Sequence, residues 1–150
     1  MASIYPMLAS QYSATRGDFL ITVKKTLSIS LIASLVLIGL GFIRTSTLLE
    51  FLGGHQFTAS VVPFRILLFS IPFFFINNII FHIFLIASKM KYSIFIYSLG
   101  FMISGLLNFY FIPRYGYMAS SVITVFTEVC VMFSYLFIII QKRYFIIPKI

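Results

Sequence analysis

The sequence predicts an all-α membrane protein, and three observations carry that prediction. The composition leaves no room for an aqueous surface. Of 150 residues, 61% are hydrophobic and 9% charged, against roughly 25% charged in an ordinary soluble domain, and mean hydropathy is +1.07. Four apolar runs, residues 26–43, 64–87, 93–112 and 118–140, are long enough to cross a bilayer; at ~1.5 Å per residue even the shortest gives about 27 Å. These runs are continuous rather than alternating. They therefore read as helices, which close their own backbone hydrogen bonds in lipid, and not as the alternating ~10-residue strands of a membrane barrel.

Taken in order, the opening "MASIYPMLASQYS" contains Pro6 and lacks the basic n-region of a signal peptide. It is too short to span, and it reads as the last half of a helix, a partial element ahead of the four full spans. The first span leads into "RTSTLLEFLGGHQFTASVVP". There Leu48, Leu49, Phe51 and Leu52 either prolong the helix or lie along the interface, and Gly53 and Gly54 stop it. Pro63 suits the first turn of the second span, whereas Pro72, inside that span, is expected to kink it. The third and fourth spans are joined by the short turn "PRYGY". No repeat or low-complexity linker divides the chain, so residues 1–150 read as a single transmembrane domain, and an incomplete one.

The net charge of +8 belongs to the connections. Arg16, Lys24, Lys25, Lys89, Lys91, Lys142, Arg143 and Lys149 fall on one side of the predicted membrane, and only Arg44, Arg65 and Arg114 on the other. Positive loops stay cytoplasmic, which places both ends of the chain in the cytoplasm. Tyr12, Tyr92, Tyr110, Tyr115, Tyr117 and Tyr144 lie near span ends, as in an interfacial aromatic belt. Basic residues serving as topology signals, with no basic–aromatic interleaving in a soluble stretch, argue against a nucleic-acid partner. The bilayer is the partner the composition demands.

Polar residues inside the spans are the candidate functional groups. Glu128 sits near the middle of "ASSVITVFTEVCVMFSYLFIII". A charged residue there costs about 2.5–3.5 kcal/mol on insertion scales, while each Leu, Ile, Val or Phe returns roughly 0.3–0.6, so the span inserts in spite of it. Ser121, Thr124, Glu128 and Tyr135 share one helical face, a stripe expected to meet protein or water rather than lipid. Two roles stay open for Glu128: an interhelical hydrogen bond, or a place on a substrate or ion path. The second span carries Asn77, Asn78 and His82, which either glue helices together or line a path. His82 has no second His or Cys at metal-ligand spacing, and Cys130 reads as a small apolar filler. Gly100, Ser104 and Asn108 lie on one i, i+4 line of the third span, which suits close helix packing or a lining role. Arg65, one residue inside the second span, either snorkels to the interface or contacts an anion at a cavity mouth. No paired catalytic acids, phosphate loop, nucleophile triad or metal cluster is apparent, so neither an enzyme nor a cofactor is expected.

Three stretches in order, "IYPMLASQYS", "LEFLGGHQFTASVVPFRIL" and "LNFYFIPRYGYMASSVITVFTE", carry a family likeness. Pro6, then Leu52, Gly53, Phe57 and Ser60, then Asn108, Ile112, Pro113 and Gly116, then Thr127 and Glu128 are the matching landmarks. Their order resembles the C-terminal half of Wzx-type polysaccharide flippases, in the MATE/MOP transporter superfamily, over nearly the whole chain. One departure is that Met118, Ala119, Ser120 and Ser121 stand where the family often has small Gly and Ala residues. The resemblance implies two six-helix lobes, with the four spans as the last helices of the second lobe. It implies export of a lipid-linked oligosaccharide across the bacterial inner membrane by alternating access, in service of surface polysaccharide or O-antigen synthesis. It also implies partners: the oligosaccharide itself, and a polysaccharide polymerase or the missing N-terminal lobe. In that setting Asn77, Asn78, Ser104 and Asn108 would offer hydrogen bonds to sugar, Arg65 would offer charge to the diphosphate, and Glu128 would take up a proton or cation or brace the lobe. A MATE-type cation or drug antiporter shares these lobes, and a small non-transporting membrane protein or gene remnant is the third reading.

Overall fold

A computed structural model describes residues 16–141, apart from the side chains of Arg16, Leu52, His55 and Thr58. The partial helix expected over the first thirteen residues lies outside the described residues. Five α-helices follow in order: α1 (Arg16–Gly53), α2 (Val61–Leu68), α3 (Ser70–Ile86), α4 (Met90–Tyr115) and α5 (Tyr117–Gln141), with a 3-10 turn over His55–Ser60. No strand occurs among the described residues. Four helical segments, Gly17–Phe51, Val61–Ile86, Met90–Tyr115 and Tyr117–Gln141, are long and apolar enough to cross a membrane. The chain is an all-α membrane protein.

Each span is longer than its apolar run because the helix continues until the chemistry stops it. Helix α1 has no breaker before its end and reaches 38 residues, about 57 Å at ~1.5 Å per residue, well beyond the ~30 Å of hydrocarbon. It takes in Lys24 and Lys25 at one end and the Leu48–Leu49 stretch at the other. Gly54 ends it with φ +73°, a conformation open to glycine, and its N–H donates to the Glu50 carbonyl at 2.8 Å. Helix α4 passes through Pro113 into one further turn, past the 93–112 boundary that the sequence suggests. A proline so near the end forfeits little of the ladder. Gly116, at φ +62°, then closes the turn, its N–H reaching the Ile112 carbonyl at 2.8 Å. Between α3 and α4 the closing residue is Ser88, at φ +56°. Lys89 N–H donates to Phe84 and Ser88 N–H to Leu85, the paired bonds of a Schellman cap.

The second span breaks, as Pro72 predicts, at Phe69. Pro72 has no N–H for the Leu68 carbonyl. Upstream, Phe69 N–H tightens onto the Ile66 carbonyl at 3.1 Å, and the Ser70 hydroxyl covers the Leu67 carbonyl at 2.7 Å. Local bonds thus cover the Ile66 and Leu67 carbonyls beside the break, which lipid would leave bare.

The bundle is asymmetric. Helix α5 packs against α4, α3 and α2, and α4–α5 is the most extensive pairing. Among the described elements, helix α1 packs on α2, α3 and the 3-10 turn, and not on α4 or α5. It comes close to α2 at Gly41, where an added Cβ would lie 2.8 Å from the Leu68 side chain. The core lies where the far half of α3 meets its neighbours: Ile79, Ile80, Ile83 and Phe84 of α3 against Phe19 of α1, Ile96 of α4, and Val131 and Tyr135 of α5. Large apolar side chains elsewhere, such as Ile43, Phe51 and Phe109, face outward, as lipid allows.

Candidate functional site: a carboxylate at a helix crossing

Glu128 of α5 is half-buried and braced from α3. The Asn77 amide Nδ2 donates to Glu128 Oε2 at 2.7 Å and to the Glu128 backbone carbonyl at 3.0 Å. Asn77 is 1% exposed. An amide carries both donor and acceptor, and here the donor is spent on the charged group, the stronger use of it. The cost falls on Asn77 Oδ1, which is buried with no hydrogen-bond partner.

The other side of Glu128 opens on a cleft of about 240 Å³ along the α4–α5 seam. Tyr97, Gly100, Phe101 and Ser104 line it from α4, and Thr124, Thr127, Glu128 and Val131 from α5. Gly100 sets the closeness of the seam: a Cβ there would come within 3.1 Å of Val131 Cγ2. The cleft thus offers a carboxylate, three hydroxyl-bearing side chains of Ser and Thr, and two aromatic rings. Thr124 and Thr127 donate their hydroxyl protons to the carbonyls of Ser120 (2.9 Å) and Ile123 (2.8 Å), which leaves their lone pairs as acceptors. Among the described residues, no Lys or Arg lines it.

The structure brings together four of the eight residues singled out from the sequence: Glu128, Asn77, Ser104 and Thr124. Asn108 falls short of the cleft. Its Nδ2 turns back on Ser104, 2.8 Å from the carbonyl and 3.3 Å from Oγ, and its Oδ1 is buried without a partner. Asn78 does not line the cleft either, and its Oδ1 is likewise buried and unpartnered. The His82 ring stands edge-on to Phe81, centroids 5.7 Å apart, away from the cleft lining. Arg65 is exposed, its guanidinium 5.5 Å from the centre of the Phe42 ring on α1. Four cleft residues escaped the sequence reading as site residues: Thr127 and Val131 of α5, and Tyr97 and Phe101 of α4, which extend the Gly100–Ser104 face. For the two rings the signal was their i, i+4, i+7 spacing with Ser104, hidden by so many other aromatics.

Apolar spans around a braced intramembrane carboxylate define a multi-span helical membrane protein with a polar cleft in one seam. No family model matches the chain, and neither a characterised protein nor a solved structure does.

Proposed function

We propose that the chain is part of a transporter lobe that moves a lipid-linked oligosaccharide across the bacterial inner membrane by alternating access, with both ends in the cytoplasm. The observation that carries this reading is the cleft at Glu128. A carboxylate, Ser and Thr oxygens and aromatic rings gathered at membrane depth suit a sugar head group, which needs hydrogen-bond partners and stacking surfaces in place of water. Asn77 holds the carboxylate toward the cleft, and the ordered landmarks from Leu52 to Glu128 agree with a flippase of the Wzx type. Arg65 stands apart from the cleft, so positive charge for the diphosphate would have to come from another surface.

The test is Glu128→Gln at the native locus. Glutamine keeps an acceptor for Asn77 and removes the charge. The expected outcome is loss of surface polysaccharide by tenfold or more, with lipid-linked oligosaccharide accumulating. Unchanged polysaccharide in this variant would leave Glu128 as a brace only, and unchanged polysaccharide after deletion of the locus would end the flippase reading.

One observation favours a second reading. A single carboxylate beside Tyr97 and Phe101, with no basic residue among the described lining of the cleft, also suits an organic cation held by charge and ring face. Energy-dependent efflux of cationic dyes that Glu128→Gln abolishes would select a MATE-type antiporter.

A further inference from the structure

The α4–α5 hairpin carries a second recess, chemically opposite to the first. It holds about 410 Å³ and is lined by Leu107, Phe111 and Tyr115 of α4 with Ala119, Val122 and Phe126 of α5 among others, and its wall is wholly apolar. On α5 its residues lie on the far side of the helix from the Glu128 cleft: at 100° per residue, Val122 and Phe126 point about 200° away from Thr124 and Glu128. The recess runs from the hairpin turn inward. Leu107 to Tyr115 covers about 12 Å of helix axis at ~1.5 Å per residue, most of one leaflet of a ~30 Å hydrocarbon core.

A cation sits in the same last turn of α4 as Tyr115 of the recess wall. Arg114 continues the Leu107–Phe111 stripe at i+7 and i+3, in the last turn of α4. It is exposed. Its Nη1 donates to the Tyr110 hydroxyl at 2.8 Å, and its guanidinium lies 4.3 Å from the centre of the Tyr110 ring. The tyrosine fixes the head of the arginine without neutralising it, and no carboxylate pairs with it among the described residues. The remaining donors of the fork point to an acceptor outside the chain.

We infer that this groove holds one acyl chain of an anionic phospholipid, its phosphate on Arg114. The shape and charge select this occupant. A partner helix would need an apolar face across both leaflets, whereas this recess is one leaflet deep and capped by a fixed positive charge. The inference stands apart from the proposed transport role, since the recess shares no lining residue with the Glu128 cleft.

The chain has no tryptophan, so single reporters are clean. Phe126→Trp places one deep in the groove. Leu35→Trp places a control on α1, where Leu35 is 66% exposed. In vesicles of phosphatidylcholine doped with a minor fraction of phosphatidylglycerol brominated at mid-chain, the groove reporter should show about fivefold enrichment of the brominated lipid, the effect of one Arg beside an anionic head group. The α1 reporter should show none. Arg114→Gln on the Phe126→Trp background should remove the enrichment, and Ala119→Phe, which fills the groove, should remove most of the quenching. Equal quenching by brominated phosphatidylcholine and phosphatidylglycerol would mean ordinary boundary lipid and overturn the inference. A Phe126→Trp signal shielded from both would mean that polypeptide covers the groove, and would overturn it equally.

Discussion

Helices α1 and α5 both read as apolar spans with scattered polar residues, yet they are held in the molecule in different ways. In α1 the buried Ser34 and Thr45 side chains close on their own helix. The Ser34 hydroxyl donates to the Leu31 carbonyl at 2.7 Å, and that of Thr45 to the Gly41 carbonyl. Neither hydroxyl obliges α1 to find a particular neighbour; its hold on α2 and the break after it comes from the close approach at Gly41, the Phe42–Phe69 ring pair, 5.7 Å apart, and Arg65 over the Phe42 ring. In α5 the hydroxyls of Ser121, Thr124, Thr127 and Ser134 do the same as in α1, each bonding a carbonyl four residues back. Glu128 cannot. An ionised carboxylate has acceptors only, its own helix has no free N–H at mid-length, and so it must recruit a donor from another helix. A Ser or Thr in a span is therefore compatible with almost any surroundings, whereas a mid-span Glu dictates a partner.

The comparison breaks most sharply at Asn77. Asn77→Leu leaves Glu128 without its donor and should destabilise the bundle by about 2 kcal/mol, the cost of an unmet charged acceptor. That exceeds the ~0.6 kcal/mol average for interhelical hydrogen bonds in membranes. The double variant Asn77→Leu/Glu128→Leu should recover much of the loss, since both ends of the bond are then apolar. Reversible unfolding in mixed detergent micelles measures both. If Asn77→Leu costs no more than Ser34→Ala, the carboxylate finds its partner elsewhere and the contrast between α1 and α5 fails.

The next effect is steric. Gly100 faces Val131 across the α4–α5 seam, while Gly39 of α1 has open space around its Cβ position. Gly100→Leu should cost about 1–3 kcal/mol as the helices are pushed apart, and it should also deform the Glu128 cleft that Gly100 lines. Gly39→Leu should fall within about 0.5 kcal/mol of wild type, as a change on an open surface does. The same unfolding assay checks the pair. Equal costs would mean that the outer face of α1 is covered by protein.

Much of this was legible in the residues. Continuous apolar runs named the spans because lipid demands helices, and Pro72 located the break because a missing N–H is a property of the residue itself. The Ser104–Gly100 line and the Glu128 stripe marked the two walls of the cleft for the same reason: helical spacing is local. Which amide meets Glu128 was not legible. Asn77 and Asn78 are adjacent and chemically identical, and the choice between them depends on the rotation of α3 after the break at Phe69. The position of Arg65 was lost similarly, because its segment, α2, packs on α1 as well as α5, and the Phe42 ring captures it. Helix lengths were underestimated wherever charged residues such as Lys24 and Lys25 were read as connection, although a helix runs on through the interface until a glycine stops it.

The smallest predicted effect separates stability from function within the cleft. Thr124 bonds its own Ser120 carbonyl at 2.9 Å, so Thr124→Val, which keeps the branched shape, removes a bond that the helix does not need. Its stability should change by less than about 0.5 kcal/mol, as should that of Ser134→Ala and of Ser34→Ala on α1. Thr124→Val and Ser34→Ala should part company in the proposed transport. Thr124 lines the Glu128 cleft and Ser34 does not, so Thr124→Val should slow transport severalfold while Ser34→Ala leaves it unchanged, measured on the same membranes. If the two variants behave alike, the hydroxyls of α5 are no more than self-satisfied spacers, and the work of the cleft rests on Glu128 and the rings of Tyr97 and Phe101.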